Sequence, residues 1–504
     1  MAEKGSLTEK TGVVVFARIV NTVIQIAIVI AAIRILNKTD FAIIGYLLMV
    51  HEIVRNLATL GFPDSIFYYF ERITKSAQKA FVMQTSAILL VMAVLAGGVI
   101  LGIRAMAPYL LTNWHGPDIN SLQYLLLFMG LVTVLEIPVW PTTNILLATN
   151  RQKQAAWYEM LTTSLHFIFL IIPLWLGYSL TIGIYGLAIY AIIRFIGSII
   201  WMMIVLHGSL SSDSEITVKN QFRFSLPLGA SSMMNKVNFF VDKFVVSILL
   251  STVAYANYTI GAQEVPIIRV IPFAVGSVLI SRYVGLELES KKDKLLNLWH
   301  KGIEKVSLMV LPLTILTICI APDLITLIAS SKNTSYAAAI VPFQIYNLIV
   351  LLRVTNYGSI LQAFGDTKGV FYLSVNLVVA NIILSIPLTI WFGIVGTAIS
   401  TLLANVYNWC VTLRRIARHM EISVFKVLPF KFYGKVLAIS LAVGIPVSIG
   451  RYYLLNQAAV WGRLGFSISL FLLLFGTVGT AAGIIKPKDW RDLKNWLSLK
   501  FFWQ

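Results

Sequence analysis

The chain has 504 residues, of which 58% are hydrophobic and only 12% are charged, and its mean hydropathy is +0.81. A soluble domain is about one quarter charged, so this composition excludes an ordinary soluble enzyme. Apolar stretches of about twenty residues or more, the length that crosses a bilayer core of roughly 30 Å, recur along the whole chain. We therefore predict an all-α, polytopic membrane protein.

About fourteen transmembrane helices are predicted in chain order. Helices are expected because a spanning segment must hydrogen-bond its own backbone in hydrocarbon. The predicted spans are 12–36, 41–70, 78–103, 120–148, 155–177, 182–207, 222–250, 254–281, 302–329, 336–363, 370–391, 394–417, 433–455 and 463–485.

The distribution of basic residues predicts the orientation of these spans. With a cytoplasmic N-terminus, only six of the 40 Lys and Arg residues fall in external segments, as the positive-inside rule requires. Those six are Arg34, Lys38, Arg104, Lys332, Arg451 and Arg463. Both termini are then cytoplasmic. The net charge of +18 is explained by this topology and by anionic lipids, and no nucleic-acid partner is predicted.

Short motifs repeat at a nearly constant offset. Gly-Ile-x-Gly-x-Ala opens the sixth span at 183–188 and the twelfth span at 393–398. Glu52 and Glu264, in the second and eighth spans, each follow a tyrosine by six residues. We therefore predict two six-helix bundles of the same topology, followed by two additional helices and a basic cytoplasmic tail. The predicted boundaries are 1–210, 211–420 and 421–504.

Charged side chains inside the spans are the candidate functional residues, because a charge in the bilayer core is costly. Basic residues outnumber acidic ones among them, which predicts a cationic cavity between the halves that suits an anionic headgroup. Arginine suits phosphate because its planar guanidinium group donates two hydrogen bonds in a fixed geometry. The candidate substrate-binding residues are Arg18, Arg55, Lys236, Arg269 and Arg353.

The acidic residues Glu52, Asp242 and Glu264 are candidates for ion coupling or for counter-charges. Glu52 and Arg55 lie three residues apart on one helical face, where they can neutralise each other. Glu264 and Arg269 lie five residues apart, which is less suited to an intrahelical pair.

Two other charged residues have structural explanations. Glu136 lies beside Pro138 and Pro141 and is expected either to bond backbone groups that these prolines free or to serve ion coupling. Arg194 is expected to pack, or to extend its charged end to the membrane surface. The histidines are scattered without metal-ligand spacing. Neither a metal site nor a catalytic residue is predicted.

Several of these motifs resemble those of a known superfamily. Ala-Phe-Gly-Asp-Thr-Lys at 363–368, Gly-Phe-Pro-Asp at 61–64 and the repeated glycine motif are similar to the multidrug/oligosaccharidyl-lipid/polysaccharide (MOP) exporters, and among them to the Wzx-type polysaccharide flippases. The resemblance covers nearly the whole chain. It implies a MATE/MurJ-like V-shaped pair of helix bundles that works by alternating access. In the related lipid II flippases, arginines of the first, second and eighth helices serve the diphosphate. Arg18, Arg55 and Arg269 stand at similar places here.

The resemblance predicts a flippase that moves a polyprenyl-diphosphate-linked oligosaccharide from the inner to the outer leaflet of the bacterial cytoplasmic (inner) membrane. The product would serve assembly of O-antigen, exopolysaccharide or capsule. Expected partners are this lipid, membrane lipids, and the polysaccharide polymerase with its chain-length machinery. No cofactor is predicted, and a proton or a sodium gradient stays open as the energy source.

Three alternatives remain. A lipid II flippase, which moves the peptidoglycan precursor, also fits fourteen spans. A MATE-type cation-coupled drug exporter would favour an acidic cavity, so the basic residues count against it. A membrane glycosyltransferase or ligase is least expected. Such enzymes present carboxylates or a sizeable domain on an external loop, and the external segment 104–119 offers little beyond His115 and Asp118.

Overall fold

The computed structural model describes residues 7–206, 214–329, 335–455 and 457–487, apart from a few side chains inside helices. Within these ranges every regular element is a helix. The chain divides into two compact units, Met1–Ala256 and Asn257–Gln504. The structure therefore confirms the all-α prediction.

The first unit is built around α5, which packs against α2, α4 and α8, while α7 packs against α1 and α8. Its helices are α1 (Leu7–Ile35), α2 (Lys38–Thr59), α3 (Phe62–Tyr69), α4 (Gln78–Leu110), α5 (Gly116–Val139), α6 (Thr142–Ala148), α7 (Gln152–Trp175), α8 (Leu180–Val205) and α9 (Val218–Leu249), followed by α10 (Thr252–Gly261), which continues into the second unit. Because α9 contacts α2 and α3, it is part of this unit. The predicted bundle boundary at 210–211 stays a prediction.

The second unit is built around α12, which packs against four other helices of the unit. Its helices are α11 (Pro266–Leu288), α12 (Lys292–Ala329), α13 (Ile340–Leu352), α14 (Tyr357–Ala363), α15 (Thr367–Met420), α16 (Phe430–Leu454) and α17 (Val460–Ala481), with short 3-10 helices at Ala337–Ala339 and Val424–Lys426. Trp299 of α12 is fully buried and donates from Nε1 to the carbonyl oxygen of Val427 at 3.0 Å.

Eleven helices of the described part are long and apolar enough to cross a membrane. α15 counts once among them, although Gly393 (φ 58°, ψ −141°) separates two helices within it. This residue lies between the predicted eleventh and twelfth spans. α1 contributes only a shorter apolar segment, Val20–Ile35, and α9 is not among the eleven. The predicted total of fourteen spans stays a prediction.

The repeated glycine motif makes the same kind of contact in both units. A Cβ atom on Gly186 would lie 2.0 Å from the carbonyl oxygen of Phe169 on α7. A Cβ atom on Gly396 would lie 1.9 Å from the carbonyl oxygen of Leu388. Small residues of this kind let the backbones of membrane helices approach closely. In each unit the motif therefore allows two consecutive helices to pack with their backbones in contact.

A buried carboxylate attaches the last two helices to the second unit. Asp323 of α12 is 1% exposed and accepts hydrogen bonds from Arg451 of α16 and from Nε of Arg463 of α17, the latter at 2.8 Å. One acidic group thus holds three helices together.

Candidate functional site

In the part of the chain that the structure describes, four of the predicted spans are interrupted, two in each unit. In the first unit, residues 60–61 separate α2 from α3, and residues 140–141 separate α5 from α6. In the second unit, residues 262–265 separate α10 from α11, and residues 353–356 separate α13 from α14. Non-helical backbone is tolerated at membrane depth only where protein or a water-filled cavity covers it. Interrupted helices also form the substrate and ion sites of many transporters.

Near the first interruption, Glu52 of α2 neutralises two cations. Its carboxylate accepts a hydrogen bond from Arg55, and its Oε1 atom lies 2.7 Å from Nζ of Lys236 on α9. Arg55 is 9% exposed, whereas the Lys236 side chain is 45% exposed. The structure thus brings three of the predicted site residues into direct contact and leaves nearly half of the Lys236 side chain exposed.

A second carboxylate, Glu136, connects α5 to α2 and α8. Its Oε1 atom lies 2.7 Å from Nη1 of Arg194, and its Oε2 atom lies 3.2 Å from Nε2 of His51. The ring of Trp140, at the interruption between α5 and α6, lies 3.7 Å from Cζ of Arg55 and 5.3 Å from Cζ of Arg194. This stacking holds both guanidinium groups by cation–π attraction.

Together these side chains form one group, which we call the first-unit cluster. It consists of His51, Glu52, Arg55, Glu136, Trp140, Arg194 and Lys236. With His51 neutral it contains three cations and two carboxylates. Ionised groups inside membrane proteins are normally paired with each other, and pairing within this cluster leaves one positive charge in excess.

The structure bears on two expectations about this cluster. Of the two alternatives for Arg194 the structure shows packing, because its guanidinium group is buried against Glu136 with 12% of the side chain exposed. Glu136 bonds Arg194 and His51, which leaves no support for the expected bonding of backbone groups freed by prolines. The contribution of His51 was missed because the histidines were judged only by metal-ligand spacing. Its position four residues before Arg55, on the same helical face, was the available signal.

In the second unit, Glu264 and Arg353 form a pair between two interruptions. Nη1 of Arg353 lies 2.6 Å and 2.8 Å from the two carboxylate oxygens of Glu264. Nη2 of Arg353 donates to Oδ1 of Asn405, on the second part of α15, at 3.3 Å. The Glu264 side chain is 8% exposed and that of Arg353 is 35% exposed. The partner of Glu264 therefore lies in a different interruption, 89 residues along the chain, beyond the reach of helical-spacing arguments.

In each unit, hydrogen bonds and ion pairs connect three spans that hold the same places in the order of their half. In the first unit, Glu136 of the fourth span binds Arg194 of the sixth span and His51 of the second. In the second unit, Arg353 of the tenth span binds Asn405 of the twelfth span and Glu264 of the eighth. The central residue is acidic in one unit and basic in the other.

The remaining predicted site residues are less informative. Arg18 lies on α1 and Arg269 on α11, and both side chains lie outside the described residues. Asp242 is fully buried in α9, where its Oδ1 atom accepts a hydrogen bond from the backbone nitrogen of Lys243 at 2.8 Å. The roles predicted for all eight residues stay predictions.

Comparison with known proteins identifies the family of the chain and solved structures with the same fold. The family model described as "Polysaccharide biosynthesis protein" matches residues 7–283, which is more than half of the chain. Curated proteins give no match.

Solved transporter structures share the fold. The lipid II flippase MurJ, in an inward closed conformation, is 15% identical with a TM-score of 0.68, and the match covers 94% of this chain and 99% of MurJ. A multidrug resistance MATE transporter of the MOP superfamily, in an inward-facing conformation, is 14% identical with a TM-score of 0.63, covering 80% of this chain and 96% of the other. A MOP superfamily transporter from Pyrococcus furiosus Vc1, described as having a binding pocket of reverse polarity, is 12% identical with a TM-score of 0.56, covering 83% and 97%.

Proposed function

The chain belongs to the polysaccharide biosynthesis protein family. On this basis we propose which substrate it transports. It is a multi-pass membrane protein of the MOP superfamily, with the fold of flippases and transporters. We propose that it carries a polyprenyl-diphosphate-linked oligosaccharide from the inner to the outer leaflet of the bacterial cytoplasmic membrane. The lipid would then be available to a polysaccharide polymerase on the outer side.

The observation that carries this proposal is the charge balance of the first-unit cluster. Arg55 and Lys236 share the single carboxylate of Glu52, so one positive charge is left over for an anion. A diphosphate offers several acceptor oxygens at once, and hydrogen bonds between charged groups are about twice as strong as neutral ones. The partly exposed side chain of Lys236 gives such a headgroup access to the cluster.

Two other cargoes fit the fold but differ in chemistry. Lipid II carries a diphosphate as well, so the cluster supports it equally, and only its glycan and peptide distinguish it. A cationic drug would favour a site with an excess of carboxylates. The excess of cations around Glu52 and Glu136 speaks against that cargo.

Transport by purified protein in vesicles tests the proposal. The probe is a short polyprenyl diphosphate carrying a fluorescent sugar, and the measured quantity is probe moved across the bilayer per folded transporter. We expect Arg55→Ala to lose most of the transport, because one charge-assisted hydrogen bond or two, each worth about 1.5–3 kcal/mol, are removed. Arg55→Lys should keep part of it, because the charge stays while the planar fork is lost.

Matched variants separate a binding role from a structural one. Lys301→Ala removes an exposed cation of α12 and should transport as the wild type does. If Arg55 serves only to neutralise Glu52, the double variant Glu52→Ala, Arg55→Ala should recover both abundance and transport. That recovery, or full transport by Arg55→Ala at normal abundance, would contradict the assignment of Arg55 as a residue that binds the diphosphate. Faster movement of lipid II than of the sugar probe would favour the peptidoglycan alternative.

A further inference from the structure

Asp323, the carboxylate that joins α12 to α16 and α17, is shared by two arginines. It accepts a hydrogen bond from Nε of Arg451 and another from Nε of Arg463, the latter at 2.8 Å. The side chain of Arg451 is 14% exposed and that of Arg463 is 19% exposed. Two largely buried cations therefore share one anion, and this group carries one positive charge in excess.

The sequence supplies no second carboxylate for these arginines on the three helices. α16 and α17 contain no acidic residue, and the acidic residue nearest to Asp323 along α12 is Glu304, nineteen positions away. At a rise of 1.5 Å per residue this separation is about 28 Å. Arg463 also lies in the first turn of α17, where the helix dipole adds partial positive charge. The surroundings of the two guanidinium groups are therefore electropositive.

Arg451 has hydrogen-bond donors that Asp323 does not use. A guanidinium group carries five N–H donors, and Asp323 binds only Nε of Arg451. Among the described residues, neither Nη1 nor Nη2 of Arg451 has a hydrogen-bond partner. Donors without an acceptor are costly in a largely buried group. Because part of the side chain is exposed, an acceptor can reach it from outside the protein, and phosphate oxygens match its planar fork.

Exposed aromatic side chains next to the arginines indicate what lies outside. Tyr452 and Tyr453 directly follow Arg451, and Trp461 precedes Arg463 by two residues. More than half of each of the three aromatic residues is exposed. Tyrosine and tryptophan are enriched at membrane–water interfaces, where their rings lie at the level of the lipid headgroups. The phosphate of a lipid headgroup is therefore the acceptor available at this depth.

We propose that Arg451 and Arg463 bind the phosphate of an anionic phospholipid. Basic pockets between membrane helices bind such headgroups, and a net charge of −1 on the lipid compensates the excess charge of the two arginines and Asp323. The acyl chains of the lipid stay in the bilayer. Because both arginines are predicted to be external, the lipid is expected to come from the outer leaflet.

Native mass spectrometry of the full-length protein in a neutral detergent tests the proposal with short-chain phosphatidylglycerol. The matched lipid is phosphatidylcholine with the same chains, whose headgroup has no net charge. We expect phosphatidylglycerol to bind about tenfold more tightly, the effect of one charge-assisted hydrogen bond. Equal binding of the two lipids by the wild type would overturn the proposal.

Two arginine variants test the site itself. Arg451→Gln should lose most of the preference for phosphatidylglycerol, because it removes one charge together with the donors that Asp323 does not use. Arg104→Gln is the control. It removes another cation that is predicted to be external, whose Nε donates to the carbonyl oxygen of Gln123 at 2.9 Å, and it should bind both lipids as the wild type does. An unchanged preference in Arg451→Gln would overturn the proposal.

Asp323→Asn separates lipid binding from a purely structural role. If the arginines only hold α12, α16 and α17 together, this variant should lose stability while its lipid binding stays the same. If they bind the headgroup, the variant raises the excess to two positive charges and should bind phosphatidylglycerol more tightly than the wild type. Unchanged or weaker binding by the folded variant would overturn the proposal.

Two measurements on the wild type decide the proposal even if these variants do not fold. Phosphatidylglycerol with a photoreactive group in its headgroup should label the end of α16 and the start of α17, and labelling of other segments alone would overturn the proposal. Inorganic phosphate should displace the lipid only at much higher concentration, because no acyl chain holds the ion at the membrane. Equal potency of phosphate and lipid would show that the site takes a free ion and would overturn the lipid assignment.

Discussion

The buried carboxylates of the two units differ in how completely their partners are shielded from water. Glu136 holds Arg194, whose side chain is 12% exposed, whereas Glu264 holds Arg353, whose side chain is 35% exposed. Removing one member of a buried ion pair is costly because the other charge is left without compensation. The cost falls when water can reach the remaining group.

We therefore predict different losses of stability for two equivalent substitutions. Glu136→Gln should lower the free energy of unfolding by about 3–5 kcal/mol, the range for breaking a buried pair. Glu264→Gln should lower it by about 1–3 kcal/mol, because Arg353, whose side chain is 35% exposed, loses mainly its charge-assisted hydrogen bonds. Unfolding of purified protein by denaturing detergent measures both.

Glu71→Gln, at an exposed position, is the control and should change little. Equal losses for Glu136→Gln and Glu264→Gln would contradict the shielding argument. Unchanged stability of Glu264→Gln, with loss of only the pH dependence of transport, would identify Glu264 as a proton carrier.

The sequence identifies the charged residues inside the predicted spans, but it predicts only some of the ion pairs that they form. Glu52 and Arg55 are three residues apart, so helical geometry alone favoured their contact. The contacts of Glu264 with Arg353 and of Glu136 with Arg194 join residues that lie 89 and 58 positions apart in the chain. Such pairs depend on tertiary packing, which helical spacing does not encode.

Among the helices, α9 and the interrupted second span make an unusually close contact. A Cβ atom on Gly229 of α9 would lie 2.3 Å from the carbonyl carbon of Leu60 and 2.6 Å from the nitrogen of Gly61. Gly61 has φ +74°, a conformation that glycine adopts without strain. The interruption therefore lies directly against the backbone of α9, near the pairing of Lys236 with Glu52.

Gly229→Ala is predicted to destabilise the first unit by about 1–3 kcal/mol, as overpacking of a filled site does. The added methyl group meets backbone atoms, which cannot rotate away as a side chain can. The control is Gly197→Ala on α8, where a Cβ atom meets open space, and this variant should be neutral or slightly stabilising. Thermal unfolding of the purified variants measures both. Equal stability of the two would show that α9 can move away from the interruption.

The helix interruptions were only partly predictable from sequence. Gly393 divides α15 at the predicted boundary between two spans, because the glycine motif marks a turn there. The apolar pattern continues through residues 60–61, and it resumes directly after Gln263 and Glu264, so the sequence predicts spans 41–70 and 254–281 as continuous helices. Hydropathy measures burial of side chains and does not report where the backbone leaves the helical conformation.

Over the whole molecule, the distribution of basic residues predicts the orientation in the membrane. Reporter fusions after Ser212 and after Gln504 should report the cytoplasm, and a fusion after His115 should report the external side. The reason is that basic loops are retained on the cytoplasmic side. If the fusions after Ser212 and His115 report the same side, the number of spans in the first 210 residues differs from six.

The inverted sign at the centre of the two ionic networks limits which spans of the two halves can replace each other. The fourth span brings an acidic centre, Glu136, to the basic Arg194, and the tenth span brings a basic centre, Arg353, to the acidic Glu264. An exchange of these two spans alone would set like charges against each other in both halves. Each of the four charged groups would then lack a counter-charge, which is costly for buried ions.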